Sequence, residues 1–234
     1  MTNASALVGI VLAAGQGARM GAPKALLRDD TGTPWLEIAT TRMLDAGCDT
    51  VFVVLGAAAT HARALLPVDS RVIPVINPRF ASGISHSLRA GMHAAAQTSA
   101  IATMITLLDL PRMPASVVER VLNPAGGADL LPLGPTTLRR AVYGGIPGHP
   151  ALIGRAHWED LGLTLRGDSG ALRYLIEHHA LEVECGDLFD GRDSDAPADE
   201  PASDPGGPRI RTDEMPDEMP DELPDELPDE LFRS

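Results

Sequence analysis

Aromatic residues make up only 3% of the 234-residue chain, and only two cysteines are present. The hydrophobic core must therefore consist mainly of Leu, Val, Ile and Ala side chains. Cys48 and Cys185 lie far apart without metal-ligand spacing, and we expect both to stay reduced in a cytoplasm. No apolar run reaches membrane-spanning length, and the first residues lack the charged and apolar regions of a signal sequence. These absences predict a cytoplasmic protein without a membrane anchor.

Lysine is also scarce, since Lys24 is the only lysine among 19 basic residues. A single lysine indicates that a compact ammonium group is needed at that position, although an arginine-biased composition would produce the same pattern.

The net charge of −13 comes almost entirely from residues 193–234, which carry 15 acidic and three basic residues. The remaining residues, 17 acidic and 16 basic, are nearly neutral and show no basic stripe. Nucleic acid is therefore excluded as an expected partner.

The C-terminal segment has the composition of a linker followed by a repeat. After a stretch rich in Pro, Gly and Asp, the sequence reads D-E-M-P twice, D-E-L-P twice and D-E-L. A proline at every fourth position prevents a stable helix, and the negative charges repel one another. We predict a globular domain over 1–200 and a disordered acidic tail over 201–234. The tail is either a docking or solubilising segment or an expansion without a dedicated role.

Short apolar runs alternate with helical patterns in the first half of the chain. Strands are predicted at 8–12, 51–55, 72–76 and 100–108, and helices at 34–47, 60–66, 83–97 and 114–122. We expect Thr33 to cap the first of these helices. The alternation predicts an α/β fold with a single doubly wound, mostly parallel sheet. Short strands at 130–133, 138–143, 150–153 and 181–185, with a helix at 168–179, predict a small mixed-sheet elaboration.

A glycine-rich stretch follows the first predicted strand and precedes two cations, Arg19 and Lys24. Small residues let backbone N–H groups turn toward a ligand, and the fixed positive charge favours phosphate. The spacing fits neither the Walker loop nor G-x-G-x-x-G. An ordinary glycine-rich turn is the alternative. The phosphate-binding residues we predict are Leu12, Ala13, Ala14, Gly15, Gly17, Arg19 and Lys24.

Asp109 directly follows the long apolar run at 101–108 and precedes Leu110 and Pro111. A carboxylate at the carboxyl end of a buried parallel strand lies where ligands bind in doubly wound sheets, and it is seldom there for packing. Mg²⁺ prefers carboxylate oxygen ligands together with substrate phosphates. We therefore interpret Asp109 as a metal ligand. The alternative is a cap for the helix that begins near Pro114.

The segment from Leu12 to Lys24 reads L-A-A-G-x-G-x-R-M-G-x-P-K. This pattern resembles the opening motif of the MobA-like NTP transferase family, and it is most similar to the molybdenum cofactor cytidylyltransferase branch. Guanylyltransferases of this group usually carry L-A-G-G, whereas this chain has Ala14 in place of their first glycine. The resemblance extends over roughly residues 7–199 and implies a Rossmann-like nucleotidyltransferase fold.

Several later segments are similar to motifs of the same family. Asp109 with Pro111 resembles the D-x-P motif, whose aspartate binds Mg²⁺, and the segment at 193–199 resembles D-x-D-T-P-x-D. The second match implies that Asp195 is a further metal ligand, although Ala196 replaces the usual threonine and a solvated acidic stretch remains the alternative. The segment that resembles the family's base- and ribose-binding region contains Asn77, Ser82 and Ser87. Plain helix capping would explain one of its serines.

Two motifs in the second half resemble acceptor-binding motifs of the cytidylyltransferase branch, G-H-P and G-D-x-G-A. They are carried by Gly148, His149 and Pro150 and by Gly167, Asp168 and Ser169. A structural role is the alternative for His149. Backbone N–H groups at 167 and 169 would suit a phosphate.

Taken with the resemblance, these residues predict a Mg²⁺-dependent enzyme that transfers a nucleoside monophosphate from an NTP, with CTP expected, to molybdenum-bearing molybdopterin. Pyrophosphate is the second product. Three alternatives remain open. They are the same reaction with GTP, transfer to another phosphorylated small molecule, and a non-catalytic module that delivers a cofactor to a molybdoenzyme by way of the acidic tail. Retention of Lys24 and Asp109 argues against loss of catalysis.

Overall fold

The computed structural model describes residues 7–17, 21–124 and 132–194. The predicted site residues Arg19 and Asp195, the domain boundary near 200 and the acidic tail lie outside these residues. The strands described are β1 Leu7–Ala13, β2 Thr50–Leu55, β3 Val72–Ile76, β4 Ala102–Leu107, β5 Leu138–Tyr143, β6 Ile146–Gly154 and β7 Leu181–Glu184. The α-helices described are α1 Trp35–Asp45, α2 Ala59–Arg63, α3 Ile84–Ala96, α4 Ala115–Leu122, α5 Trp158–Thr164 and α6 Leu172–Glu177.

The strands form one seven-stranded sheet in the order β3-β2-β1-β4-β6-β5-β7. β1 lies between β2 and β4 and pairs in parallel with both, and β3 pairs in parallel with β2. β6 runs antiparallel to both β4 and β5, and β7 is parallel to β5. The prediction of an α/β fold with a mostly parallel sheet is therefore confirmed. The mixed-sheet elaboration continues the same sheet, because β6 pairs directly with β4.

Two apolar clusters, one on each face, bury this sheet. Leu36 and Met43 of α1 pack with Val11 on one face, whereas Leu88 of α3 packs with Ile10 on the other. Because successive side chains of a strand point to opposite faces, β1 contributes to both clusters and is buried throughout. Because β1 and β4 pair in parallel, their carboxyl ends lie together at one edge of this core.

Three local expectations are corrected by the structure. Thr33 does not cap α1, because Pro34 occupies the cap position without a side-chain bond, and the Thr33 hydroxyl lies 2.9 Å from that of Thr31. The helix predicted at 168–179 is shortened to α6, since the Ser169 N–H donates to Arg166 in a preceding turn. Of the strand predicted at 130–133, only Pro132 and Leu133 are described, and neither is in a strand.

Among the described residues, no helix is both long and apolar enough to cross a membrane.

Both cysteines are expected to be unreactive toward thiol reagents in the native protein and to react fully in denaturant. Burial, with the neighbouring charge of Asp49 as a smaller cause, raises the pKa of Cys48 to about 12, and burial also raises the pKa of Cys185. The thiolate is the reactive form, so both side chains are protected by pKa and by access. Titration with Ellman's reagent should count no thiol in the folded chain and two after unfolding. Rapid reaction of either native thiol would contradict the buried positions of these residues.

Candidate functional site

The glycine-rich loop leaves the carboxyl end of β1 and folds back on the chain that follows. Gly17 has φ +63°, and a Cβ there would lie 1.8 Å from the Ala22 carbonyl oxygen, so only glycine fits. At Gly15, by contrast, no heavy atom of the described residues would come within 4 Å of an added Cβ. The loop is therefore closed tightly at one glycine and open to a ligand at the other.

Lys24 and Asp109 form an ion pair at this edge of the sheet. The Lys24 Nζ atom donates to Asp109 Oδ2 at 3.0 Å, and the two side chains are 23% and 19% exposed. Asp109 follows β4, Lys24 opens a short 3-10 helix after the loop, and pairing of β1 with β4 brings the two together. The other carboxylate oxygen, Oδ1, is buried and has no hydrogen-bond partner among the described residues. A buried anionic oxygen in this position is available to a cation.

Asp109 does not serve as a helix cap. The cap position of α4 is Pro114, and no side chain bonds to that helix end. The carboxylate faces Lys24 instead. The alternative that the sequence left open for Asp109 is therefore wrong.

The ion pair and the glycine loop border a pocket of about 400 Å³. Residues 12–17 and Leu107 to Asp109 line it from β1 and β4, and Lys24 and Asp168 complete the polar part. The segment after β3 contributes Phe80, Ala81, Gly83, Ile84 and Ser87. The pocket thus lies across the carboxyl ends of the parallel strands, the usual ligand position in such sheets.

Asn77 lies behind the pocket wall and not in it. It is 4% exposed, its Nδ2 donates to Ser87 Oγ at 3.0 Å, and its Oδ1 accepts from the Arg79 N–H at 3.0 Å. Of the three polar residues predicted here, the pocket lining includes Ser87 but neither Asn77 nor Ser82. Asn77 therefore orients Ser87 and the chain leading to α3.

The start of α3 packs against the second predicted acceptor motif. Gly83 has φ +105°, and a Cβ there would lie 2.4 Å from the Gly167 carbonyl oxygen. That oxygen accepts from the Ser85 N–H at 3.1 Å. Asp168 reaches the pocket lining, whereas the Ser169 hydroxyl donates to the Arg166 carbonyl at 2.7 Å within its own turn. Gly167 and Asp168 therefore connect this motif to the pocket, Gly167 through the start of α3 and Asp168 as a lining residue.

The first acceptor motif, Gly148, His149 and Pro150, lies on β6 beside β4. His149 Nδ1 is 3.4 Å from the Ile105 carbonyl oxygen, and the Tyr143 hydroxyl donates to the His149 carbonyl at 2.6 Å. Burial lowers the pKa of His149, with the Ile105 carbonyl and the Asp109 carboxylate opposing that shift. None of the three motif residues lines the pocket, so the structure keeps them near Asp109 without bringing them into the cavity.

The chain returns to Asp109 after β7. The Ser194 N–H donates to the Asp109 carbonyl at 2.8 Å, so the chain at Ser194 lies beside a residue of the ion pair. Among the described residues, no group of three or more His, Cys, Asp or Glu side chains is arranged to hold a metal ion.

Sequence reasoning missed several residues that line the pocket, namely Gln16, Phe80, Ala81, Gly83, Ile84, Leu107 and Leu108. Most are apolar, and an apolar residue carries no chemical signal that separates a ligand wall from core packing. Phe80 and Ala81 lie between Asn77 and Ser82. Their place inside this predicted nucleotide-binding segment was the one signal that the sequence offered for them.

A doubly wound sheet with a glycine loop and a lysine–aspartate pair at its carboxyl edge places the chain among α/β proteins that bind and transfer nucleotides. The model of the MobA-like NTP transferase domain matches residues 9–183. The protein belongs to this family.

Two curated relatives each match 83% of this chain and 94% of their own length. Nicotine blue oxidoreductase of Paenarthrobacter nicotinovorans is 31% identical over 204 residues. Molybdenum cofactor cytidylyltransferase of Escherichia coli is 26% identical over 200 residues. The crystal structure of Rv0371c from Mycobacterium tuberculosis is 26% identical with a TM-score of 0.64, covering 78% of this chain and 89% of that chain. Rv0371c has also been solved in complex with manganese, at 25% identity and a TM-score of 0.58, covering 77% and 87%.

Proposed function

We propose that the protein transfers a cytidine monophosphate group from CTP to the phosphate of molybdopterin bearing molybdenum, forming a dinucleotide cofactor and pyrophosphate. The observation that carries the proposal is the Lys24–Asp109 ion pair beside the glycine loop at the mouth of the pocket. Such a pair places an ammonium group that can bind the triphosphate next to a carboxylate that can bind a metal ion. The E. coli cytidylyltransferase relative supports the choice of base and acceptor.

In the proposed reaction an acceptor phosphate oxygen attacks the α-phosphorus of CTP. The new P–O bond forms as the bond to the β-phosphate oxygen breaks, and that oxygen leaves with the bonding electron pair in pyrophosphate. Backbone N–H groups of the loop and the ammonium of Lys24 hold the triphosphate, and Arg19 is proposed to add a second cation. The protein thus acts by positioning and by electrostatic stabilisation of charge on the phosphates.

The residues at Asp109 fit a divalent cation. Asp109 Oδ1 is buried without a hydrogen-bond partner among the described residues, and hard cations such as Mg²⁺ favour carboxylate oxygen. Ser194 is held at Asp109, so Asp195, the next residue, is proposed as a second ligand. The manganese complex of Rv0371c supports a cation in this family. When bound, Mg²⁺ would neutralise charge on the reacting phosphates.

Acceptor binding is proposed for the region beyond Asp168. A second cavity of about 460 Å³, lined by residues 168–170 and one side of α6, shares Asp168 with the first. Leu172 and Ile176 give it an exposed apolar side, which suits a flat ring system such as a pterin. Ser169 lines this cavity, whereas Gly148, His149, Pro150 and Gly167 lie outside its lining and are proposed to contribute to the acceptor site from neighbouring positions.

CTP is expected to be preferred over GTP, and Ala14→Gly is expected to raise the relative specificity constant for GTP by about tenfold. Ala14 lines the pocket, is only 5% exposed and replaces the glycine that guanylyltransferases usually carry. The comparison is the ratio of kcat/KM for CTP and GTP in both proteins. Ala102→Gly is the matched control, because Ala102 is a fully buried alanine of β4 that does not line the pocket. A wild-type protein that prefers GTP would overturn the choice of base.

A second candidate function is the oxidation or reduction of an organic substrate. The observation that favours it is the 31% identity with nicotine blue oxidoreductase, which exceeds the identity with the cytidylyltransferase. In that case the pocket would hold the substrate or a redox cofactor. The lysine–aspartate pair would then have no metal to hold.

One experiment separates these functions. Each of the four NTPs is offered with Mg²⁺, with and without molybdenum cofactor, and pyrophosphate release is measured beside consumption of NADH and NADPH. Acceptor-dependent pyrophosphate release with CTP supports the proposal. Binding without turnover would indicate a delivery module, and nicotinamide consumption without pyrophosphate would favour the reductase.

A further inference from the structure

The pocket has an aromatic residue, Phe80, which lies between Asn77 and Ser82 at a position to which the sequence motif assigns no role. Phe80 opens a short 3-10 helix, Phe80–Ser82, between β3 and α3. It is half-buried, packs on the cluster beneath α3 and also lines the pocket. Among the described lining residues it is the only aromatic side chain.

Gly56, just after β2, fixes Phe80 against the glycine-rich loop. A Cβ at Gly56 would lie 2.4 Å from Phe80 Cβ, 2.7 Å from Phe80 Cγ and 2.6 Å from the Ala14 carbonyl oxygen. The Phe80 side chain, the end of β2 and the backbone of Ala14 are therefore in direct contact. Only a residue without a Cβ leaves room for this arrangement, which sets the ring at one boundary of the pocket.

The strand order places Phe80 and Asp109 on opposite sides of β1. Gly56 beneath Phe80 follows β2, whereas Asp109 follows β4, and β1 lies between these strands. Adjacent strands are separated by about 4.8 Å, so the ends of β2 and β4 are about 10 Å apart. A triphosphate held at Lys24 and Asp109 can therefore extend its nucleoside across the loop toward Phe80.

We propose that Phe80 binds the nucleobase, with its ring forming the wall on which the base stacks, and that Gly56 positions this ring. The inference rests on the proposed function, since it assumes that the triphosphate lies at Lys24. Stacking on an aromatic ring tolerates different bases because each has a π-face. Phe80 thus supplies affinity for the nucleoside, while the choice between bases is made elsewhere in the pocket.

The test compares CTP with tripolyphosphate, which has the phosphates but no base. Binding of both probes is measured by calorimetry with the same concentration of Mg²⁺ for wild type, Phe80→Leu, Phe80→Trp and the control Phe52→Leu. Phe52 is a buried phenylalanine of β2 in the same apolar cluster, but it does not line the pocket. Phe80→Leu is expected to weaken CTP binding about 5- to 150-fold and to leave tripolyphosphate binding unchanged. Phe80→Trp should retain CTP affinity, and Phe52→Leu should leave the ratio of the two affinities unchanged.

Each other result overturns the inference. Equal CTP affinity in wild type and Phe80→Leu shows that the ring does not contact the base, and the proposed function then stands without it. If Phe80→Leu loses affinity for both CTP and tripolyphosphate, Phe80 only supports the loop. If Phe80→Leu does not fold, loss of CTP affinity in a folded Phe80→Trp would overturn the proposal that the base stacks on the ring at position 80. Failure of wild type to bind either probe would overturn the proposed function together with the inference.

Discussion

Asp109→Asn is expected to lower metal-dependent turnover by about 10²- to 10³-fold and to leave the fold intact. The amide keeps the shape of the side chain but removes the charge that holds a divalent cation, and metal catalysis is worth several kcal/mol. The structure gives Asp109 no capping role, so little helix stability depends on it. Turnover as a function of Mg²⁺ concentration, with circular dichroism to verify folding, measures the effect.

Asp187→Asn is the matched control for this prediction. Asp187 is an exposed carboxylate that pairs with Arg120 and does not line the pocket. The substitution removes the same charge from the chain, so a general electrostatic effect would appear in both variants. A normal Mg²⁺ dependence in Asp109→Asn would contradict the metal assignment.

Lys24→Met is expected to weaken CTP binding by about 10- to 100-fold. A charge-assisted hydrogen bond to phosphate is typically worth about 1.5–3 kcal/mol, and methionine keeps the length of the side chain without its charge. Calorimetric titration with CTP gives the affinity directly. Arg71→Met is the control, because Arg71 is an exposed cation that pairs with Asp69 and lies outside the pocket lining.

The same substitution should change metal affinity in the opposite direction. The Lys24 ammonium lies 3.0 Å from Asp109 Oδ2, so a cation that binds Asp109 meets its repulsion. Removing the ammonium should therefore strengthen Mn²⁺ binding in the absence of nucleotide, measured by electron paramagnetic resonance of free Mn²⁺. If Lys24→Met instead binds both CTP and Mn²⁺ more weakly, the result would contradict a shared site and indicate a general loss of structure around the loop.

The fold was largely predictable, because its main signal is local. Residues 8–12 form an unbroken apolar run, and such runs are typical of strands buried on both faces. Strand order could not be read from these runs, since β6 pairs with β4 and β7 with β5 through contacts distant in sequence. α5 was missed because Trp158 and Leu161 alone give it buried positions.

The charged part of the site was predictable for a different reason. Lysine and aspartate are costly to bury, so the residue types of Lys24 and Asp109 and their places beside predicted strands already indicate chemistry. Their 3.0 Å contact, however, depends on the pairing of β1 with β4. Asn77 was expected at the ligand because its segment resembles the family's base- and ribose-binding region, yet its hydrogen bonds are directed to Ser87 and the backbone of Arg79. Phe80 gave no signal beyond its place between Asn77 and Ser82, because its position in the fold depends on the missing Cβ of Gly56.

The most direct test of the account follows the individual phosphates of CTP. The protein is incubated with Mg²⁺, molybdenum-bearing molybdopterin and CTP labelled with ³²P at either the α or the γ position, and the products are separated. The account predicts that the α label enters the molybdopterin product, that the γ label leaves in pyrophosphate, and that Lys24→Met reduces both. Transfer of the γ label to the acceptor, or no transfer while NADPH is consumed, would contradict it.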